Sequence, residues 1–356
     1  MLIKNKKSRK GSHMNEKVLT VVVPSYNVEA YLADTLKSFI HPDIMGDVEV
    51  LIVNDESTDS TEEIGRSFEV RYPQTFREKK YPQTFRVISK ENGGHGSTIN
   101  RGIQEAAGRY FKVVDGDDWV DTENFRKLVK MLKRLDVDVI GNNYTWVDHE
   151  TKLPTKRQER PFEGFEYGRI YRLEDVAGKT LINIHAMTIK TEILRKMKMK
   201  IDEHMFYVDM EYVLFPIPYV DTCLFLEPSV YCYRLGRPNQ SMSIKKMQAN
   251  LKNHLHVLLR LEKYAERMCG RMTPAQRRYM NGAIGELLTS QMKIYISFPL
   301  GSGMRRKTMA LDAFIKNRNP EAYASVKNKA VWLMRRSRFL AFPVVVLAFK
   351  GRRNSY

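Results

Sequence analysis

The chain has 356 residues, 43% of them hydrophobic and 28% charged, which is typical of a soluble globular protein and not of a disordered or fibrous chain. Lys and Arg outnumber Asp and Glu by 59 to 41, so the formal net charge of +18 predicts an anionic partner without choosing among nucleic acid, phospholipid and a phosphorylated substrate. The three cysteines have no paired spacing, which argues against a disulfide framework or cysteine metal site and favours a reducing, cytoplasmic compartment.

The first residues are expected to be vector-derived. Gly11 to Met14 read GSHM, which looks like the scar left by tag cleavage. We therefore assign residues 1–14 to a tag-derived segment and begin the first domain at residue 15.

Short apolar runs alternate with helical patterns up to Tyr144. The apolar runs predict five strands, at Val18–Pro24, Val48–Val53, Phe85–Ser89, Tyr110–Val114 and Val137–Tyr144. Helical spacing predicts four helices, at Ala30–Ile40, Ser60–Phe68, Ser97–Ala107 and Thr122–Leu135, with Ser97 and Asp121 as the expected N-caps of the last two. This alternation predicts an α/β fold with a mostly parallel sheet flanked by helices.

Polar clusters follow three of these predicted strands. They are Ser25–Asn27, Asn54–Ser57 and Asp115–Asp118. Because ligands of parallel α/β sheets bind beyond the carboxyl ends of the strands, these clusters predict a site at one edge of the sheet.

After Tyr144 the secondary-structure pattern of the sequence changes twice. Residues from Asp148 to Ser243 mix short strands, turns and helices, and from Ile244 the pattern becomes helical. Helices are predicted at Met247–Met268, Pro274–Ile296 and Met304–Asn317. We therefore predict a catalytic domain over residues 15–243, a helical module over 244–330 and a tail over 331–356.

The tail is apolar and basic. The apolar run Phe339–Phe349 is too short for a bilayer span, which needs about 20 residues. Basic residues flank the run, and Val331–Tyr356 contains no Asp or Glu. We expect this segment to lie on an anionic membrane, which would make the protein peripheral at the inner face of the cell membrane. The alternative is a core segment that packs on the helical module.

The stretch YFKVVDGDDWVD ends a predicted strand with a cluster of carboxylates. Asp115, Asp117 and Asp118 repel one another unless a cation pairs with them, and hard oxygen ligands suit Mn²⁺ or Mg²⁺. The alternative is a solvated loop that caps the next helix, which accounts for Asp121 but not for the other three.

Five motifs, in order, resemble those of the family 2 glycosyltransferases, which have the GT-A fold. They are VVVPSYN, LIVNDESTDST, ENGGHGSTINRGI, VVDGDDWVD and FYVDMEY, and the resemblance covers roughly Val18–Ser243. The chain departs from the family pattern at Asn54, Glu56 and Val208.

The resemblance implies a binding site for a nucleotide sugar. Tyr26 would pack on the uracil ring, and Asp55 would accept a hydrogen bond from the base N3–H. Arg234 and Arg237 resemble a basic segment that closes over the diphosphate, in a turn that we expect to be a mobile loop. The full donor set is Pro24, Tyr26, Asn27, Asp55, Asn92, Gly93, Asp115, Asp117, Arg234 and Arg237.

The resemblance also implies an inverting reaction. Asp209 matches the catalytic base, with Glu211 as the second candidate, although a carboxylate at a helix N-terminus would look the same. His185 is a candidate contact for the acceptor. For His95 and His185 the alternative to a contact with donor or acceptor is a structural role, as a hydrogen-bonded histidine.

We therefore predict a metal-dependent, inverting glycosyltransferase that uses a UDP-linked sugar and acts on a glycan or lipid-linked saccharide in surface polysaccharide synthesis. Nucleic acid is not an expected partner, because carboxylates at the strand ends repel phosphate when no cation is bound. The helical module would also allow a homodimer. The alternative is a non-enzymatic protein that binds nucleic acid or membrane and carries an inactive transferase-like domain.

Overall fold

The computed structural model describes residues 17–72, 84–236 and 243–353. The predicted tag segment therefore lies outside the described residues. The strands are β1 (Leu19–Ser25), β2 (Val48–Asn54), β3 (Phe85–Ser89), β4 (Tyr110–Val113), β5 (Trp119–Val120), β6 (Val139–Asp148), β7 (Pro154–Glu159), β8 (Ile170–Arg172), β9 (Met187–Lys190) and β10 (Thr222–Leu235).

The helices follow the strands and then fill the C-terminal third. They are α1 (Glu29–Lys37), α2 (Thr61–Arg71), α3 (His95–Glu105), α4 (Thr122–Leu132), α5 (Leu173–Val176), α6 (Thr191–Lys196), α7 (Asp209–Leu214), α8 (Ile244–Ala249), α9 (Leu251–Met268), α10 (Pro274–Ile296), α11 (Met304–Arg318), α12 (Pro320–Ser325), α13 (Lys329–Arg336) and α14 (Phe342–Arg353).

The strands form one mixed sheet, ordered β3-β2-β1-β4-β9-β6-β10-β5, with β7 beside β6 and β8 beside β10. β1 pairs in parallel with β2 and β4, β2 with β3, and β6 with β10, whereas β9 is antiparallel to both of its neighbours. Residues of β1 and β2 are buried throughout, as expected for β-branched strands covered on both faces. The prediction of an α/β fold with a mostly parallel sheet is confirmed.

Two local predictions were wrong. Ser97 does not cap α3, because the helix begins two residues earlier, after Gly94, whose φ of 79° is in the left-handed region that glycine tolerates best. Arg234 does not lie in the predicted loop, because β10 continues to Leu235 and pairs along β6 as far as Asp148. The predicted loop from Arg237 onward lies outside the described residues. The predicted cap Asp121 is confirmed, since its side chain accepts a hydrogen bond from the Asn124 amide at 2.8 Å.

The C-terminal third is helical from Ile244 onward. α10 packs against α9, α11, α12 and α14, and its buried residues join the same apolar core as those of the sheet. Thr273 and Gln276 form a capping box at its N-terminus, with the Gln276 amide donating to the threonine Oγ1 at 3.2 Å. Among the described helices, none has the length and apolar content to cross a membrane.

Candidate donor and catalytic site

The polar turns after β1, β2 and β4 meet at one edge of the sheet. The Asp55 amide donates to the Ser25 carbonyl at 2.8 Å, and the Gly116 amide donates to the Pro24 carbonyl at 3.1 Å. The C-terminal ends of β1, β2 and β4 therefore lie close together, as expected for neighbouring parallel strands. The predicted convergence of these turns is present in the structure.

Asp115–Asp118 form an acidic turn after β4. Asp115, Asp117 and Asp118 each offer one carboxylate oxygen, and these oxygens lie within 4.8 Å of one another. Asp115 and Asp117 are half-buried, whereas Asp118 is buried. Three carboxylates at this separation are a donor set that fits a divalent cation with oxygen ligands.

Asp118 is fixed beneath the surface of this turn. The Tyr231 hydroxyl donates to its Oδ2 at 2.6 Å, and the Arg234 backbone amide donates to its Oδ1 at 2.8 Å. Burial and the neighbouring Asp115 raise the pKa of Asp118 to about 8, against the opposing effect of these hydrogen bonds. A cation bound by the turn would lower the pKa of Asp118 again, because its positive charge favours the ionised carboxylate.

Arg234 supports the acidic turn from the end of β10. Its Nε donates to the Asp117 carbonyl at 2.8 Å, and its guanidinium lies 4.9 Å from the ring centroid of Tyr31 and 4.6 Å from that of Trp119. The side chain is buried, and the residue lies on β10, one position before the strand ends. We therefore assign Arg234 to holding the turn. Arg237, the other predicted diphosphate ligand, lies outside the described residues.

His95 contacts the acidic turn from the first residue of α3. Its Nε2 lies 2.8 Å from Asp115 Oδ1. Burial opposes its protonation, but the charge of Asp115, with smaller contributions from Asp209 and Asp55, raises its pKa above the ordinary value. The sequence alone does not assign a role to His95, although its position directly after Gly93 and Gly94, the glycine turn, was the available signal.

Asp209 is the first residue of α7. Its pKa and that of His95 influence each other, and both respond to the charge of Asp115. Burial raises the pKa of its carboxyl, and Asp115 adds to this, whereas the charge of His95 and the Met210 amide oppose it. A carboxylate with a raised pKa is a better proton acceptor at neutral pH than an ordinary one. The structure therefore brings Asp209, His95 and Asp115 into one electrostatic cluster.

Glu211, the second candidate base, is directed elsewhere. Its side chain is fully buried and lies 2.5 Å from the Arg260 guanidinium of α9, while its Oε2 also accepts from the Asp202 amide at 2.8 Å. Arg260 in turn contacts Asp202 at 2.6 Å. Glu211 is thus an ion-pair partner of the helical region, and Asp209 is the better candidate for the base.

The loop that leads to Asp209 is held against α3. The Asn100 side chain donates to the Ile201 carbonyl at 2.8 Å and accepts from the Ile201 amide at 3.0 Å. A Cβ on Gly96 would lie 2.0 Å from the Asp202 carbonyl oxygen, so only glycine permits this approach. The spacing between the glycine turn and the candidate base is therefore set by direct backbone contact.

The predicted base-binding residues lie on two turns at the sheet edge. Tyr26 is 52% exposed and has a flat apolar face open to solvent. The neighbouring Asn27 has a φ of 50°, and its Oδ1 accepts from the Thr58 amide at 2.8 Å. This bond links the turn after β1 to the turn after β2.

Asp55 organises the glycine turn. Its carboxylate accepts from the amides of Gly93 and Gly94 at 3.0 and 2.7 Å and from Lys90 Nζ at 2.7 Å, while Asn92 Nδ2 donates to its carbonyl at 2.9 Å. Asn92 and Gly93 thus lie beside Asp55. Their contacts with a donor stay a prediction, as does that of Asp55.

His185 lies in an aromatic environment that includes Tyr231, the residue whose hydroxyl donates to Asp118. Its ring makes an edge contact with Tyr144 at a centroid distance of 4.1 Å and lies 5.6 Å from Tyr231. Its Nε2 has no hydrogen-bond partner among the described residues. Burial and the nearby Lys112 lower its pKa to about 3, so the imidazole is neutral at pH 7. Its role as an acceptor contact stays a prediction.

Lys112 is fully buried in β4, and its Nζ donates to the carbonyls of His185 and Met187 at 2.8 and 3.3 Å. Burial lowers its pKa to about 7 from 10.5 in the unfolded chain. The unfolded state therefore binds more protons between these two pH values, and the free energy of unfolding should rise with pH across this range.

Replacing Lys112 with Met should flatten this dependence, by up to about 1.4 kcal/mol per pH unit. Denaturant unfolding of both proteins at several pH values between 8 and 9.5 measures the difference in slope. The exposed Lys252→Met variant should keep the slope of the unsubstituted protein. An unchanged slope in Lys112→Met would show that the buried amine does not titrate in this range.

Comparison with known proteins agrees with this geometry. The family model described as "Glycosyl transferase family 2" matches residues 20–197, a range that contains the acidic turn and ends before Asp209. The curated protein "Glycosyltransferase GlyA" of Streptococcus pneumoniae is 25% identical over 63% of this chain and 31% of its own length. "Minor teichoic acid biosynthesis protein GgaB" of Bacillus subtilis is 31% identical over 36% of this chain and 14% of its own length.

The chain thus spans less than a third of the length of these two relatives. Among solved structures, S. aureus TarS 1-349 in complex with UDP-GlcNAc superimposes with a TM-score of 0.59 at 18% identity, covering 95% of this chain and 92% of that one. This likeness confirms the GT-A fold. The family model matches half of the sequence, which is enough to assign the chain to its family. The chain belongs to glycosyl transferase family 2.

Proposed function

We propose that the chain is an inverting, metal-dependent glycosyltransferase that moves a sugar from a UDP-linked donor to a hydroxyl of a glycan or lipid-linked saccharide. The observation that carries this proposal is the acidic turn, in which oxygens of Asp115, Asp117 and Asp118 lie within 4.8 Å of one another beside the electrostatic cluster of His95 and Asp209. The setting would be the synthesis of a surface polysaccharide.

Two features support a uridine nucleotide. Tyr26 offers an exposed ring at the end of β1, a suitable face for stacking a base. TarS, which has the same fold, was solved in complex with UDP-GlcNAc.

The name of GgaB, a teichoic acid biosynthesis protein, supports an acceptor that belongs to a cell-surface polymer.

Asp115, Asp117 and Asp118 would hold the cation, Mn²⁺ or Mg²⁺. When bound, the cation would supply positive charge that stabilises the departing nucleoside diphosphate. The chain's own residues keep the turn in place for this task. Tyr231 and the Arg234 amide orient Asp118, and the Arg234 guanidinium holds the Asp117 carbonyl.

Asp209 would act as the general base. The acceptor hydroxyl oxygen forms a bond to the anomeric carbon, its proton passes to the Asp209 carboxylate, and the bond from that carbon to the donor diphosphate breaks with the electron pair leaving on the diphosphate oxygen. One such displacement inverts the anomeric configuration. When His95 is protonated, its charge lowers the pKa of Asp209 and so would favour the ionised carboxylate before transfer.

A hydrolysis screen tests the proposal. UDP- and GDP-sugars are incubated with the protein in the presence and absence of Mn²⁺, and the released nucleoside diphosphate is measured. We expect release from one or a few UDP-sugars, and only with the cation. Release from GDP-sugars alone, or equal release without a divalent cation, would contradict the donor and the metal assigned here.

A further inference from the structure

α14 is apolar on two opposite faces. Phe342, Val345 and Val346 are buried against the helical region. Val344 and Leu347, three residues apart and thus on one side of the helix, are 62% and 61% exposed. A surface helix normally keeps its outward face polar, so this outward apolar face is unusual.

α13 and the turn after it share the same property. Val331 and Met334 are buried, whereas Trp332, Leu333 and Leu340 are exposed, with Trp332 at 63%. Each of the two helices therefore packs with one side on the protein and turns large apolar side chains to solvent on another. We refer to Trp332, Leu333, Leu340, Val344 and Leu347 as the tail surface.

The part of the chain that carries the tail surface contains charged side chains of one sign only. Residues 322–356 contain eight Lys and Arg and no Asp or Glu. Arg335 is engaged by Asp312 at 2.7 Å, but Lys329, Arg336, Arg338 and Lys350 are exposed. A partner for this region must therefore accept apolar side chains and cations together.

From this combination we propose that the tail surface docks on an anionic phospholipid membrane. Lipid takes up Trp, Leu and Val at the boundary between headgroups and acyl chains, while anionic headgroups pair with the flanking Lys and Arg. α14 runs from Phe342 to Arg353, about 18 Å of helix, so it lies on the bilayer and does not cross its roughly 30 Å hydrocarbon core.

Two other occupants fit less well. A second copy of the chain would bring two surfaces of the same charge together, and the repulsion would oppose the apolar contact. Nucleic acid would pair with the cations but would leave Val344 and Leu347 in water, because phosphate backbones offer no apolar surface to aliphatic side chains. The membrane proposal does not depend on the transfer chemistry, so it stands or falls independently of the donor site.

Vesicle co-sedimentation of the full chain tests the proposal. Vesicles of phosphatidylcholine alone are compared with vesicles that also contain phosphatidylglycerol. We expect binding to the anionic vesicles and little to the neutral ones. The Val344→Ser/Leu347→Ser double variant should bind the anionic vesicles about tenfold more weakly or worse, since both substitutions remove apolar contact with lipid.

The matched control is Val70→Ser/Leu153→Ser, which removes two exposed apolar side chains outside the tail surface and should bind like the unsubstituted protein. The neutralised variant Arg336→Gln/Arg338→Gln should also bind more weakly and lose much of its salt dependence. Equal binding by the Val344→Ser/Leu347→Ser variant, or no binding of the unsubstituted chain to anionic vesicles, would overturn the proposal. Self-association that disappears in this variant without any change in vesicle binding would overturn it in favour of a homodimer.

Discussion

Asp209→Asn is expected to lower the kcat of sugar transfer by about 10²- to 10⁴-fold, the usual contribution of a general base. Asparagine has nearly the same shape but cannot take a proton from the acceptor hydroxyl. The affinity for UDP should change by no more than about threefold, because the substitution removes an interaction used in the transition state and not in nucleotide binding. Steady-state kinetics with the donor identified by hydrolysis, together with UDP titration, measures both quantities.

Glu203→Gln is the matched control for this substitution. Glu203 lies on the same loop, six positions before Asp209, and is exposed, so its neutralisation removes a nearby negative charge without removing the base. It should keep most of the activity. If Asp209→Asn retained activity within a factor of about three, or if Glu203→Gln lost as much, Asp209 would not be the base.

Arg260→Met is expected to lower the free energy of unfolding by about 3–5 kcal/mol. The substitution leaves Glu211 fully buried without the guanidinium that lies 2.5 Å away, and it also removes the contact with Asp202 at 2.6 Å. A buried carboxylate without a partner must either stay charged at high cost or bind a proton. Denaturant or thermal unfolding followed by circular dichroism measures the loss.

Two further variants separate the ion pair from general damage to α9. The double variant Arg260→Met/Glu211→Gln should recover much of the stability, because no charge is then left buried at this position. Lys263→Met, an exposed substitution on the same helix, should be close to neutral. A double variant that is less stable than Arg260→Met alone would contradict this explanation of the loss.

The first half of the fold could be predicted from local patterns. β3 has the predicted bounds, and β1, β2 and β4 differ from them by only a residue or so at either end, because continuous apolar runs between turn residues are short-range signals. The meeting of the Asp55 and Asp115 turns followed from the rule that ligands bind at the carboxyl ends of parallel strands. These predictions needed only the order of elements along the chain.

The features that were missed depend on distant partners. β10 bulges between Leu226 and Tyr231 and then continues along β6, and no local pattern reveals that pairing. For the same reason Arg234 was assigned to a loop, although its amide completes the hydrogen bonds of Asp118, 116 residues earlier in the chain. The partner of Glu211 is likewise 49 residues away, on a helix whose role at the site the sequence did not reveal.

We expect the acidic turn to bind UDP through a divalent cation, and calorimetric titration of UDP with and without Mn²⁺ measures this. The unsubstituted protein should bind UDP only when Mn²⁺ is present. Asp117→Ala removes a metal ligand, so this variant should not bind UDP even when Mn²⁺ is added. Asp121→Ala, which removes only the N-cap of α4, should bind as the unsubstituted protein does, at a stability cost of about 1 kcal/mol. Equal UDP affinity with and without the cation, or an Asp117→Ala variant that binds like Asp121→Ala, would contradict the claim.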